Sequence, residues 1–261
     1  MPKLAANLSM LFTEYDFMDR FEAASKAGFR GVEYLFPYDY EAQEIAAELY
    51  QFGLTQVLFN LPAGNWGKGE RGIACHPDRV EEFRKGVDKA IRYAKALNCQ
   101  QVNCLVGIKP AHVSEEEAFK IVVENLKFAS EKLKAEGIRL VMEAINTQDM
   151  PGFFVNNTEK ALRIVAEVGE DNLGYQYDIY HMQIMEGNLA RTLKDHQATI
   201  AHIQLADNPG RHEPGNGEIN YPFLLKHIDD IGYQGWVGCE YVPTTTTEAS
   251  LGWLKEYNLI K

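Results

Sequence analysis

Apolar and polar positions follow a repeating two-part rhythm along the chain. Short apolar runs, most of them rich in β-branched or aromatic residues, occupy 3–8, 31–36, 54–60, 100–105, 138–143, 173–178, 200–206 and 236–241. Their length and content predict buried β-strands. Between them the period becomes helical. Segments 16–27 and 39–52 open on Asp16 and Asp39 and close at Gly28 and Gly53, as capped helices should. The segment at 114–137 begins with the capping-box sequence Ser114-Glu115-Glu116-Glu117 and ends at Gly137. On it Ala118, Ile121, Val122, Leu126, Ala129 and Leu133 form one apolar stripe. Further helical patterns cover 77–97, 158–168, 189–198, 221–231 and 248–257.

Strand and helix alternating eight times predicts an α/β protein, a single (β/α)8 TIM barrel. The 261 residues suit that architecture, which needs about 250. A doubly wound open sheet could also hold eight units, but no G-x-G-x-x-G follows the first strand. No internal linker interrupts the pattern, so one domain over residues 1–261 is expected. One connection is long, 61–76, with glycine at 64, 67, 69 and 72; loops of that length are usually functional or mobile.

Composition narrows the partners. With 37 acidic against 26 basic residues the net charge is −11, which argues against nucleic acid and against an anionic membrane surface. No apolar run reaches the 18 residues of a membrane span. The opening residues, Met1 to Asn7, lack a signal-peptide core, and the four cysteines form no C-x-x-C, so a reduced, cytoplasmic protein is expected.

Chemistry in such a barrel sits where the strands end. The last four runs each bring an oxygen-bearing side chain to that end: Glu143, Asp178, Gln204 and Glu240, spaced by 35, 26 and 36 residues, about one strand-helix unit each. Three carboxylates in one mouth repel unless a cation neutralises them. Three carboxylates and an amide oxygen are hard donors, favouring Mg²⁺ first and Mn²⁺ second over zinc. Any one of these acids alone could simply cap the following helix. His181, three residues after Asp178, is a candidate for substrate or a second metal, or an ordinary loop histidine. His202 shares the strand face of Gln204 and reads best as buried structure. Arg211, in the turn-rich segment 207–218, could clamp a carboxylate substrate or pair within its own loop; Arg71 in the glycine-rich loop is a weaker candidate.

The stretches Asn60-Leu61-Pro62-Ala63-Gly64-Asn65-Trp66 through Gly69-Glu70-Arg71-Gly72, Glu143-Ala144-Ile145-Asn146, Asp178-Ile179-Tyr180-His181-Met182-Gln183, His202-Ile203-Gln204-Leu205-Ala206-Asp207 and Glu213-Pro214-Gly215-Asn216-Gly217-Glu218-Ile219 resemble the hydroxypyruvate isomerase family, which includes 2-oxo-tetronate isomerases, within the xylose isomerase-like TIM-barrel superfamily. The resemblance spans essentially the whole chain. It implies a metal-assisted isomerase of short, anionic 2-oxo-3-hydroxy acids, with Glu143 and Glu240 as proton donor and acceptor and as metal ligands beside Asp178 and Gln204. It also implies that His181 and Arg211, with Arg71 and Trp66 of the long loop, serve the substrate. Sugar epimerases of the superfamily look similar but carry histidine where Gln204 stands. A nuclease like the apurinic endonucleases would carry several histidines and a basic groove, and a non-catalytic binding barrel is the remaining alternative.

Overall fold

The computed structural model describes residues 2–257. Its strands are β1 (Lys3–Asn7), β2 (Gly31–Glu33), β3 (Thr55–Asn60), β4 (Gln101–Cys104), β5 (Arg139–Glu143), β6 (Leu173–Asp178), β7 (Ile200–Leu205) and β8 (Trp236–Cys239). They are parallel and close in chain order into a barrel. β8 returns to β1 in the register Leu4↔Val237 and Ala6↔Cys239, so neither strand is left as a sheet edge. Both faces of each strand are covered, which is why the runs read as continuously apolar.

The helices are α1 (Arg20–Lys26), α2 (Ala42–Phe52), α3 (Val80–Ala96), α4 (Glu115–Lys134), α5 (Thr158–Val168), α6 (Ile179–Met185), α7 (Leu189–Asp195), α8 (Tyr221–Asp230), α9 (Thr247–Ser250) and α10 (Gly252–Glu256). On α4, Ser114 caps the helix by accepting from the Glu117 amide. Ala118, Val122, Leu126, Ala129 and Leu133 are buried on it, together with the polar Asn125 and Ser130. Asn125 repays its burial by donating to the Ala74 carbonyl at 2.8 Å, tying α4 to the long loop.

Several expected boundaries move. Asp16 makes no capping bond, and a 3₁₀ turn (Phe17–Asp19) precedes α1. α2 starts at Ala42 rather than at Asp39, because a turn in which Tyr40 N donates to Pro37 O takes up the residues before it. Segment 248–257 is two short helices, α9 and α10, joined at Leu251. α6 was not expected. It springs directly from β6, and its seven residues are too few to show a helical period.

The long loop is fastened to the chain that follows β4. Gly72 forms a bridge with Val106, Cys75 N donates to Val106 O, and His76 Nε2 pairs with Ile108 O at 3.0 Å. Gly72 has φ +117, and a Cβ there would lie 2.1 Å from Leu105 O. Both the conformation and the close backbone approach require glycine. Gly72→Ala should cost about 2–4 kcal/mol. The check is the urea midpoint; an unchanged midpoint contradicts the packing described.

Candidate active site

Asn7, Glu33, Asn60, Glu143 and Asp178 are the last residues of β1, β2, β3, β5 and β6. Glu240 follows β8 immediately, and Gln204 pairs in register with Asp178 on one side and Gly238 on the other. The strand ends thus bring Glu33, Glu143, Asp178 and Glu240 into one buried mouth, each 5% exposed or less.

One guanidinium enters this group. Arg211 Nη2 lies 2.5 Å from Glu240 Oε2 and 3.4 Å from Asp178 Oδ2, and its Nε donates to the Glu240 carbonyl. Arg211 is held at φ +58, a left-handed conformation uncommon outside glycine. The loop that carries it is organised by Asp207. Its buried carboxylate accepts the backbone amides of Asn208 and Ile219 on one oxygen and of Gly215 and Gly217 on the other, all within 3.1 Å.

Asp178 has two duties. Oδ1 accepts the amides of Tyr180 and His181 and caps α6, while Oδ2 faces Arg211. His181 Nε2 stands 3.6 Å from Asp178 Oδ2 and 3.8 Å from Glu143 Oε1. One donor atom each from Glu143, Asp178 and His181 lies within 4.8 Å of the others, close enough to hold a metal ion. Glu143 also accepts from Asn103 Nδ2 at 3.3 Å.

On the far side, Glu33 accepts from Gln204 Nε2 and His202 Nε2 at 2.7 Å each, and from Asn7 Nδ2 at 3.1 Å. The same Asn7 nitrogen reaches Glu240 Oε1 at 3.0 Å and so couples the two acids. Gln204 Oε1 accepts from Gln176 Nε2 at 2.6 Å. Gly238 leaves room for this arrangement, since a Cβ there would sit 2.3 Å from Glu33 Oε1.

The acids are strongly perturbed. Burial first, then the charges of Glu240 and Asp178, push Glu143 well above the usual carboxylate range. Burial pushes Glu240 up to about 8 against the pull of Arg211. Burial likewise raises Asp178, opposed by Arg211. Burial, with the Arg211 charge, holds His181 well below its ordinary range.

Trp66 and Arg71 pair with each other on the long loop, and among the described residues neither hydrogen-bonds to the four acids. The Arg71 guanidinium lies 4.1 Å over the Trp66 ring and donates to the carbonyls of Trp66 and Glu70. Trp66 packs edge-on against Phe36 and lines a cleft of about 630 Å³ with Tyr38, Asn65 and Lys89. Glu33 and Asn7 escaped the sequence reading. Their signal was present, because each closes its strand as Glu143 closes β5, but the run 31–36 placed Glu33 inside an apolar stretch instead of at its end.

A closed parallel barrel with acids gathered at its C-terminal rim is the frame of the xylose isomerase-like TIM barrels, and the family model of that description matches residues 21–257. Over 98% of its length the chain is 54% identical to the hydroxypyruvate isomerase of Escherichia coli (strain K12), which it covers completely. It is 47% identical to the 2-oxo-tetronate isomerase of Cupriavidus necator, covering 98% of this chain and 99% of that one. The crystal structure of an AP endonuclease, family 2, from Brucella melitensis superposes with a TM-score of 0.96 at 45% identity, covering 98% and 99% of the two chains. The chain belongs to the hydroxypyruvate isomerase family of xylose isomerase-like TIM barrels, and it is an isomerase.

The raised acids carry a sign for stability. A carboxyl whose folded pKa exceeds its unfolded one binds its proton more tightly when folded. Stability therefore falls as pH rises between the ordinary glutamate value of 4.5 and about 8. Thermal melts in buffer free of divalent ions should give a lower Tm at about pH 8 than at about pH 5. A Tm that climbs across this window contradicts the assignment.

Proposed function

We propose that this isomerase acts on short 2-oxo-3-hydroxy acids, turning hydroxypyruvate into tartronate semialdehyde or 2-oxo-tetronate into 3-oxo-tetronate. The observation that carries the reading is the pair Glu143 and Glu240. They stand at or just after the ends of different strands, converge on one mouth and have pKa values raised by burial. Raised carboxyls suit proton transfer near neutral pH. The names of the relatives divide between the three-carbon and four-carbon substrates.

The residues fit a divalent cation. Among the described residues, the Arg211 guanidinium contacts two of the four carboxylates, Asp178 and Glu240, and two buried acceptor atoms beside Glu143, Asn103 Oδ1 and Gln176 Oε1, have no partner. Glu143, Asp178, Gln204 and Glu240 would hold the ion, Mg²⁺ first and Mn²⁺ second by donor hardness. Gln204 would serve by releasing its bond to Gln176. When bound, the ion would acidify the C3 hydrogen and offset the negative charge that develops as it leaves.

The chain's own groups do the rest. One glutamate removes the proton from C3, giving an enediolate; the hydroxyl proton passes from O3 to O2, and the opposite glutamate delivers a proton to C2, so that the C3 hydroxyl becomes the carbonyl and the C2 carbonyl the hydroxyl. Arg211 supplies a guanidinium for the substrate carboxylate, and His181 orients its oxygens. The loop bearing Trp66 and Arg71 covers the substrate and excludes water. The four buried, unpaired cysteines agree with a reducing cytoplasm. No described helix is long and apolar enough to cross a membrane.

A nuclease reading, to which the name of the Brucella structure belongs, meets two imidazoles among these carboxylates, those of His181 and His202, and a net charge of −11. An epimerase reading meets glutamine at 204. The deciding assay compares hydroxypyruvate with both enantiomers of 2-oxo-tetronate, with and without EDTA. Turnover of at least one substrate, lost in EDTA and restored by Mg²⁺ or Mn²⁺, is expected; activity indifferent to EDTA removes the metal. Glu143→Gln and Glu240→Gln should each lower kcat by about 10³-fold. In D₂O the product carbon should take up deuterium; complete retention of substrate hydrogen would favour a hydride shift.

A further inference from the structure

The two ring nitrogens of His181 meet opposite environments, and one neighbour decides which carries the hydrogen. Nδ1 lies 2.7 Å from the side-chain nitrogen of Asn146. The orientation of that amide is set at its other end. Asn146 Oδ1 accepts the backbone amides of Gln148 at 3.0 Å and Asp149 at 2.8 Å. Asn146 Nδ2 also donates to Asp149 Oδ2 at 3.0 Å, an oxygen that accepts from Tyr180 OH at 2.9 Å as well. Turning the amide over would set an NH₂ against two N–H donors and an oxygen against a carboxylate. The group facing His181 Nδ1 is therefore a donor.

A ring nitrogen that faces a donor presents its lone pair. The hydrogen then sits on Nε2, which points between Glu143 and Asp178 but lies beyond hydrogen-bond distance of both, at 3.8 and 3.6 Å. Such an Nε2–H has no lone pair for a metal. Among the described residues it is a donor without a close acceptor, at the mouth where the reacting oxygens of a substrate would sit.

We propose that Asn146 is a positioning residue that fixes His181 as the Nε2–H tautomer, making the ring a hydrogen-bond donor to a substrate oxygen and barring it from serving as a metal ligand. The substrate oxygen is taken from the isomerase reading above; the tautomer is independent of it. Asn146 closes a short chain of bonds, Tyr180 to Asp149 to Asn146 to His181, which starts on α6 and returns to it.

The test is a two-bond ¹H–¹⁵N correlation spectrum of the full chain labelled with [¹⁵N]histidine, with His181 identified by its loss in His181→Gln. The wild type should show a protonated Nε2 and a bare Nδ1. Asn146→Asp, made together with Asp149→Asn so that no two carboxylates meet, keeps an acceptor for the backbone amides of residues 148 and 149 but offers His181 an acceptor, so the pattern should invert. The inverted ring presents a lone pair to Glu143 and Asp178, and Zn²⁺ titrated against a chelator should bind this variant about tenfold tighter than wild type. kcat should fall on the order of 10²-fold, with a smaller change in KM. A wild-type spectrum with hydrogen on Nδ1 overturns the proposal, as does a folded double variant that keeps the wild-type tautomer. If that variant does not fold, Asn146→Ala decides: a mixture of tautomers supports the proposal and an unchanged Nε2–H overturns it. Wild-type protein that shows the expected tautomer but turns over neither substrate sinks the proposed substrate class and leaves the tautomer standing.

Discussion

Negative charge held away from water is the constraint around which this barrel is arranged. Moving one carboxylate out of water costs several kcal/mol even after relaxation, and Glu33, Glu143, Asp178 and Glu240 all lie in the same mouth. A single arginine offsets part of this by contacting two of them. The remainder falls to side-chain amides and one imidazole. Asn7 serves Glu33 and Glu240, Asn103 serves Glu143, and Gln204 and His202 serve Glu33. The rim is lined with amides because amides donate to carboxylates without adding charges that would themselves need partners.

That arrangement is distributed over the fold in a definite way. Each acid stands at or just after the end of a different strand, so strand register sets its height along the barrel axis. Hydrogen-bonding partners then fix its direction. Asp178 is steadied because it caps α6 with one oxygen, and Glu240 because Asn7 and Arg211 grip its two oxygens from opposite sides. Packing outside the barrel does not have to orient the site. It has only to hold the strands in register.

Much of this was readable beforehand. Eight runs and their helices gave the barrel, and the spacing of Glu143, Asp178, Gln204 and Glu240 put four polar heads on successive strands. What escaped was whatever lacked a period or lay across the barrel. α6 is too short for a helical pattern to register. Glu33 was hidden because apolar and aromatic residues continue past it to Phe36, although hydrogen bonding ends the strand at Glu33. The bonds from Asn7 to Glu240 and from His202 to Glu33 join residues 233 and 169 positions apart, and no local pattern announces such partners. The two-way duty of Asp178 was also beyond reach, since capping and site chemistry were read as alternatives.

The carboxylate of Asp207 gathers four amides of segment 208–219 onto one side chain, and the strand beneath takes no part in those bonds. The segment is in effect a cassette gathered on one peg and pinned along one edge to 242–244, where Val242 N donates to Arg211 O and Thr244 to Glu213. Its exposed positions are free to diverge without disturbing barrel registration, provided the peg and the glycines against it are kept. A lineage of such enzymes could therefore retune how the guanidinium at 211 is presented by editing this cassette alone, leaving the acids below it untouched.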